Sequence, residues 1–157
     1  MKYWLMKSEP DVYSIDHLSL QKQKTDHWDG IRNYQARNFI RDDMEIGDLA
    51  FFYHSNCDTP AIVGMMEIVT FAYPDHTAFD HGEKYYDPKS DPGNPRWFMV
   101  DVRLKKKFRR HVTLMQIRSE RKLESMRLVQ KGNRLSILPL TKREWNHILS
   151  MAGESKS

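Results

Sequence analysis

The tightest constraint on the fold is the alternation between Arg96 and Phe108. Phe98, Val100, Val102 and Leu104 fall on one side, and Trp97, Met99, Asp101, Arg103 and Lys105 on the other. That period of two belongs to a half-buried strand, which needs a sheet beside it and a core beneath. Leu49 to Tyr53 (LAFFY) is apolar without a break, so it has to be covered on both faces and belongs in the middle of that sheet. It follows the turn signal Gly47-Asp48 and empties into the polar group His54-Ser55-Asn56. Ala61 to Phe71 is a second apolar strand, with Gly64 marking a bulge or a close backbone approach. These two segments and their short polar loop form a hairpin. Lys2 to Met6 supplies a first strand and Leu135 to Pro139 a last one.

Helix signals fit between the strands. Ser14 caps a short helix to Leu20 with Ile15, Leu18 and Leu20 inward, and the following QKQKT is a surface link. Thr113 with Gln116, and Thr141 with Glu144, have the spacing of capping boxes. The second box opens a closing helix that turns Trp145, Ile148 and Leu149 to the core. A further helical piece spans Leu123 to Val129, and the dense prolines and turn formers from Tyr73 to Pro95 predict a long ordered loop. The pattern is that of a mixed α+β domain on a largely antiparallel, curled sheet, one domain over 1–152 with a polar, unstructured tail over 153–157.

Composition narrows the function. No apolar run is long enough to span a bilayer and MKYWLMKSEP is too polar for a signal peptide, so a soluble, intracellular protein, cytoplasmic by expectation, is predicted. Cys57 is the single cysteine, which rules out an internal disulfide and a cysteine zinc cluster. His76 and His81 with Asp75, Asp80 and Asp87 match no metal-ligand spacing, and neither metal nor cofactor is expected. The net charge of +4 conceals an asymmetry: residues 1–100 hold 10 Lys+Arg against 16 Asp+Glu, and residues 101–157 hold 15 against 5. A basic half suits a polyanion. Lys105, Lys106, Lys107, Arg109 and Arg110 form a strip that could follow phosphates or equally protect a strand edge. No heptad or long apolar stripe marks an oligomer, and a monomer is expected.

The stretch WDGIRNYQARNFI, 28–40, is not built for a core alone. Asn33 can cap a short helix that buries Ala36, Phe39 and Ile40, which leaves Arg32, Asn33, Tyr34 and Arg37 clustered beside Trp28. Aromatic faces with fixed donors and cations are the means of holding a nucleobase and its phosphate. Taken singly, Trp28 and Tyr34 read as core aromatics; the whole cluster reads as a site.

The segments YWLMKSEP (3–10), WDGIRNYQARN (28–38), GDLAFFYHSN (47–56), YYDP (85–88), PRWFMVDV (95–102) and RLSILPL (134–140) together resemble the EVE domain family. The resemblance covers nearly the whole chain in order; the basic strip and the tail lie outside it. It implies a PUA-like fold, a small curled β-barrel with flanking short helices, related to readers of methylated adenosine. It also implies a non-catalytic domain that binds a modified base in DNA or RNA. On that reading a base stacks at the barrel mouth on Trp28 or Trp4, between Tyr34 and Trp97. Ser8, Asn33 and Ser55 read its polar edge, Lys7, Arg32 and Arg37 meet phosphate or carboxylate, and Glu9, Tyr53, His54 and Asn56 complete the surroundings. An enzyme acting on nucleic acid or a nucleotide-like molecule, from Lys7, Glu9, His54, Ser55 and Asp101, is the alternative. It lacks a nucleophile elbow, a phosphate-cradling glycine loop, paired cysteine ligands and a dinucleotide fingerprint. A protein-interaction module is the third reading.

Overall fold

A computed structural model describes residues 1–154. Its strands are β1 (Tyr3–Ser8), β2 (Thr25–His27), β3 (Leu49–His54), β4 (Ala61–Ile68), β5 (Tyr73–Pro74), β6 (Phe98–Met99), β7 (Asp101–Thr113) and β8 (Ile137–Leu140). Its α-helices are α1 (Ile15–Ser19), α2 (Tyr34–Asn38), α3 (Leu114–Ser119) and α4 (Lys142–Met151). Six strands form one sheet in the order β2-β7-β4-β3-β1-β8, while β5 and β6 pair separately. Within the large sheet β1 and β3 run parallel and every other neighbouring pair is antiparallel. The sheet curls into a half-barrel with short helices around it, the α+β, PUA-like class expected.

The unbroken apolar run of β3 is explained by its central place. Ala50 and Phe52 enter one core with Trp4, Met6, Trp28 and Ile40, while Leu49, Phe51 and Tyr53 enter a second with Trp145, Ile148 and Leu149. Successive side chains of a strand point to opposite faces, so a strand with a core on each side is apolar throughout. Phe51 and Trp145 stack with ring centroids 3.8 Å apart, which ties α4 to the second face. The boxes at Thr113 and Thr141 both form.

Gly64 sits at a close approach of β4 to β7. A Cβ there would lie 2.4 Å from both Ile15 Cδ1 and the Lys106 carbonyl oxygen, and the register slips between Ile62 and Gly64. The alternation read from Arg96 is broken at Val100, whose carbonyl accepts the Trp28 N–H at 2.8 Å. The strand then runs on past Phe108 to Thr113. Val102 and Leu104 belong to the first core and Phe108 and Val112 to the second, so the irregular pairing with β4 lets one strand serve both.

Several local expectations need correction. Leu20 is exposed, because the chain leaves α1 there; β4 stops at Ile68, leaving Phe71 exposed. The supposed surface link contains a tight turn with Gln23 and Lys24 at φ 55 and 52, then enters β2, which completes the outer edge of β7. The piece from 123 to 129 is two 3-10 turns, Arg121–Leu123 and Arg127–Val129. The tail is ordered to Glu154: Gly153 takes φ 75, and the Glu154 N–H donates to the Leu149 carbonyl at 2.8 Å. The rest of the expected tail, 155–157, lies outside the described residues.

Candidate functional site

Asp26 and His27 of β2, the end of β1 and Ser136 just before β8 line one cleft, so it lies where the two outer strands of the half-barrel approach each other. Its volume is about 740 Å³, within the roughly 300–1,000 Å³ usual for ligand sites. Lys7, Ser8 and Glu9 form one wall with Val12, Tyr13 and Ser55; Trp28, Asp29, Gly30 and Ile31 form another; Glu83, Lys84, Tyr85 and Arg134 complete it.

Local hydrogen bonds explain why this space stays open. Ser8 donates to the Tyr13 carbonyl at 2.7 Å, and the Val12 and Tyr13 N–H groups both donate to the Glu9 carbonyl, which closes a firm turn around Pro10. The Tyr13 hydroxyl donates to Asp26 at 2.5 Å. Burial and then that carboxylate raise the Tyr13 pKa, so it remains a neutral phenol. Gly30 has φ 80 and packs against Tyr85 so closely that a Cβ would lie 2.5 Å from Tyr85 Cε2. That contact requires glycine on both counts.

The structure divides the expected site residues. Lys7, Ser8, Glu9, Trp28 and Ser55 line the cleft. The others do not. Trp4 is 2 % exposed and its indole N–H donates to Asp48 at 3.0 Å, so it has no face to offer a base. Trp28 is 6 % exposed and meets Phe52 edge to face, which makes it wall rather than open platform. Half-buried Tyr13 and Tyr85 are the more open rings of the cleft. Tyr53 is buried in the second core, where burial pushes its hydroxyl up to about 12. His54 Nε2 accepts the Ile15 N–H at 3.1 Å; burial and neighbouring His111 lower its pKa, in keeping with a neutral acceptor ring. Asn56 donates to Glu9 at 3.1 Å, and Asn33 caps α2 by accepting from the Ala36 N–H at 3.0 Å.

Arg32 and Arg37 meet the chain itself rather than open solvent. Arg32 pairs with fully buried Asp75 at 3.0 Å and donates to the Tyr85 carbonyl at 2.6 and 3.0 Å. Burial would raise the Asp75 pKa, but donors from Thr77, Gly30 and Arg32, with the guanidinium charge, outweigh it and hold the carboxyl below its usual range. Arg37 donates to the Arg96 carbonyl at 3.0 Å and lies over the Tyr34 ring. Tyr34 stacks on Trp97 at 4.9 Å, and the Trp97 N–H donates to Asp87 at 2.6 Å. These residues fasten the loop from Tyr73 to Trp97 and so place Tyr85 in the cleft. Asp80, Asp87 and Asp91 accept backbone N–H groups within that loop, and His81 stacks against Tyr86.

The basic strip lines no part of the cleft. Lys105 pairs with Glu67 at 3.7 Å, Lys106 with Glu154 at 2.6 Å and Lys107 with Asp16, tying the strip to three parts of the fold; Arg109 and Arg110 stand exposed near Gly153. The cleft's cations, Lys7, Lys84 and Arg134, have no carboxylate within 4.0 Å among the described residues. Sequence reasoning missed Val12, Tyr13, Asp26, His27, Asp29, Gly30, Ile31, Glu83, Lys84, Tyr85, Arg134 and Ser136. Six of these, Asp29, Gly30, Ile31, Tyr85, Arg134 and Ser136, fall inside the segments that carried the resemblance.

Comparison with known proteins agrees with this architecture. The structure superposes on the crystal structure of human THYN1 protein in complex with 5-methylcytosine-containing DNA with a TM-score of 0.93, at 44% identity over 99% of each chain. A crystal structure from Pseudomonas putida matches with a TM-score of 0.91 at 45% identity, over 96% of this chain and 99% of that one. Human thymocyte nuclear protein 1 is 44% identical over 99% of this chain and 76% of its own length. The EVE domain model matches residues 2–151, and the chain therefore belongs to the EVE domain family.

Proposed function

We propose that this protein is a non-catalytic binding domain for DNA carrying a modified base, with methylated cytosine as its first candidate. The observation that carries the reading is the cleft: two half-open tyrosines, Tyr13 and Tyr85, stand with three unpaired cations, Lys7, Lys84 and Arg134, around a space large enough for a base. A base lifted from its stack lies against the tyrosines, and the cations at the rim receive the phosphates on either side. The human relative, of the same fold and 44% identical, has been crystallised with 5-methylcytosine-containing DNA, which supports the same class of ligand here. DNA as ligand puts the protein's work inside the cell, and no helix among the described residues is long and apolar enough to cross a membrane.

Three of the five groups on which an enzyme would draw are otherwise engaged. Glu9 accepts from Asn56, His54 Nε2 is taken by a backbone N–H, and Asp101 accepts from the Tyr73 hydroxyl. None is paired as nucleophile with base. Affinity for duplexes with and without 5-methylcytosine, followed across salt concentration, tests the proposal. Tighter binding of the methylated duplex, weakening steeply with salt, is expected, with the DNA recovered unchanged. Tyr85→Ala lowers the affinity by about 1–3 kcal/mol, the usual worth of one stacked base. Equal affinity for both duplexes, or none at low salt, overturns the reading.

A further inference from the structure

The acids of the cleft differ in what already occupies them. Glu9 accepts from Asn56 at 3.1 Å. Asp26 accepts from the Tyr13 hydroxyl at 2.5 Å and from the His27 N–H at 2.8 Å. Glu83 stands exposed, where water satisfies it. Asp29 is half-buried and accepts from no side-chain donor among the described residues. Its side chain retains 32% of its exposure, and the one basic nitrogen within 4.0 Å of its carboxylate among the described residues is His27 Nε2 at 3.9 Å, too long for a hydrogen bond. Its own backbone N–H is the remaining donor, and burial, the largest influence, raises its pKa. A half-buried acceptor without a full set of donors is costly, and the cost falls when a ligand brings a donor. Asp29 also lines the same cleft as Tyr13 and Tyr85, and its charge is felt at the Tyr13 hydroxyl.

We infer that Asp29 is the specificity residue of the cleft, accepting a hydrogen bond from the exocyclic amine of the bound base. The inference rests on the base-binding reading above and adds the edge that is read. Carboxylates accept from the N4 amine of cytosine when proteins read that base, and methylation at C5 leaves that amine in place. A site built to satisfy an amine discriminates against an analogue without one, because its acceptor is then covered by the base and left unpaired. The cleft is therefore selective for amino-substituted bases.

The test uses duplexes carrying 5-methylcytosine or 5-methylpyrimidin-2-one, which lacks the amine, each opposite an abasic site so that pairing strength does not enter. Wild-type protein is expected to prefer 5-methylcytosine by on the order of tenfold or more. Asp29→Ala removes the preference by weakening 5-methylcytosine binding alone, and Asp29→Asn, which keeps a neutral acceptor, retains part of it. Thermal melting establishes that each variant is folded, and Asp29→Asn carries the comparison if the alanine variant is not. Equal binding of both duplexes by wild-type protein, or an undiminished preference in a folded Asp29 variant, overturns the assignment while base binding stands. Failure to bind either duplex at low salt removes the base-binding reading and this one with it.

Discussion

Arg32 offers the sharpest separation between what residue type suggests and what the fold makes of it. As a phosphate contact, its loss weakens DNA binding and lowers the salt dependence by about one, leaving stability alone. As the partner of Asp75, its loss strands a carboxylate with no exposure at all. Removing one partner of a buried ion pair costs roughly 3–5 kcal/mol. Asp75 keeps the Thr77 N–H at 2.9 Å, the Thr77 hydroxyl at 2.6 Å and the Gly30 N–H at 2.9 Å, which places the expected cost near the lower end. Arg32→Met keeps a stem against Tyr85 and Trp97 and removes the charge. About 3 kcal/mol, at roughly 2–4 °C per kcal/mol for a chain of this size, lowers the melting temperature by about 6–12 °C. In an Asp75→Asn background the same substitution costs much less, because no buried charge is left behind. Calorimetry of the four proteins, with the salt dependence of DNA binding for the folded ones, decides the matter. A melting temperature within about 2 °C of wild type, or a lowered salt slope at unchanged stability, refutes the assignment of Arg32 as a latch.

Acid titration follows from the same pair: the Asp75 carboxyl is depressed in the folded state, so its stabilisation is present above the unfolded value of about 3.9 and is lost as pH falls through the folded one. Arg32→Met removes a donor and a charge that hold it down, so its acid unfolding midpoint, followed by circular dichroism, is expected at higher pH than that of wild type; an unchanged midpoint contradicts this. Gly30→Ala places a Cβ against the Tyr85 ring at φ 80. It is expected to cost about 1–2 kcal/mol in backbone strain and to weaken DNA binding by displacing Tyr85, while a melt and an affinity like wild type dismiss the contact. Replacing Lys7, Lys84 and Arg134 by Gln is expected to reduce the salt slope of DNA binding by about one for each cation that meets a phosphate. The triple change of Lys105, Lys106 and Lys107 to Gln leaves the slope unaltered, and the opposite pattern returns the phosphates to the strip.

What could be read from sequence was what depends on near neighbours. The boxes at Thr113 and Thr141 and the cap at Asn33 join atoms three residues apart, and each formed as read. The central place of β3 followed from an apolar run that only double coverage explains, and the tight meeting at Gly64 from the one residue that permits it. β2 left no such mark. Thr25, Asp26 and His27 carry no apolar pattern, and they form a strand because β7 presents unpaired backbone groups there.

The candidate site was legible by region and not by residue, for a related reason. A side chain's chemistry says what it is able to bond, while its distance from other groups decides what it does bond. Arg32 reaches acceptors 43 and 53 positions away, and Arg37 one 59 positions away. Those bonds withdraw both from any ligand. In the printed chain Lys84 and Arg134 look like Lys105, yet the fold gives Lys105 an acid at 3.7 Å and leaves the other two without one. The same subtraction separates Asp29 from Asp26, three residues apart and alike in type, because the Tyr13 hydroxyl occupies one and, among the described residues, no side chain donates to the other. A binding cleft is built from the polar groups that folding fails to satisfy, so its residues emerge only once every internal partner has been placed.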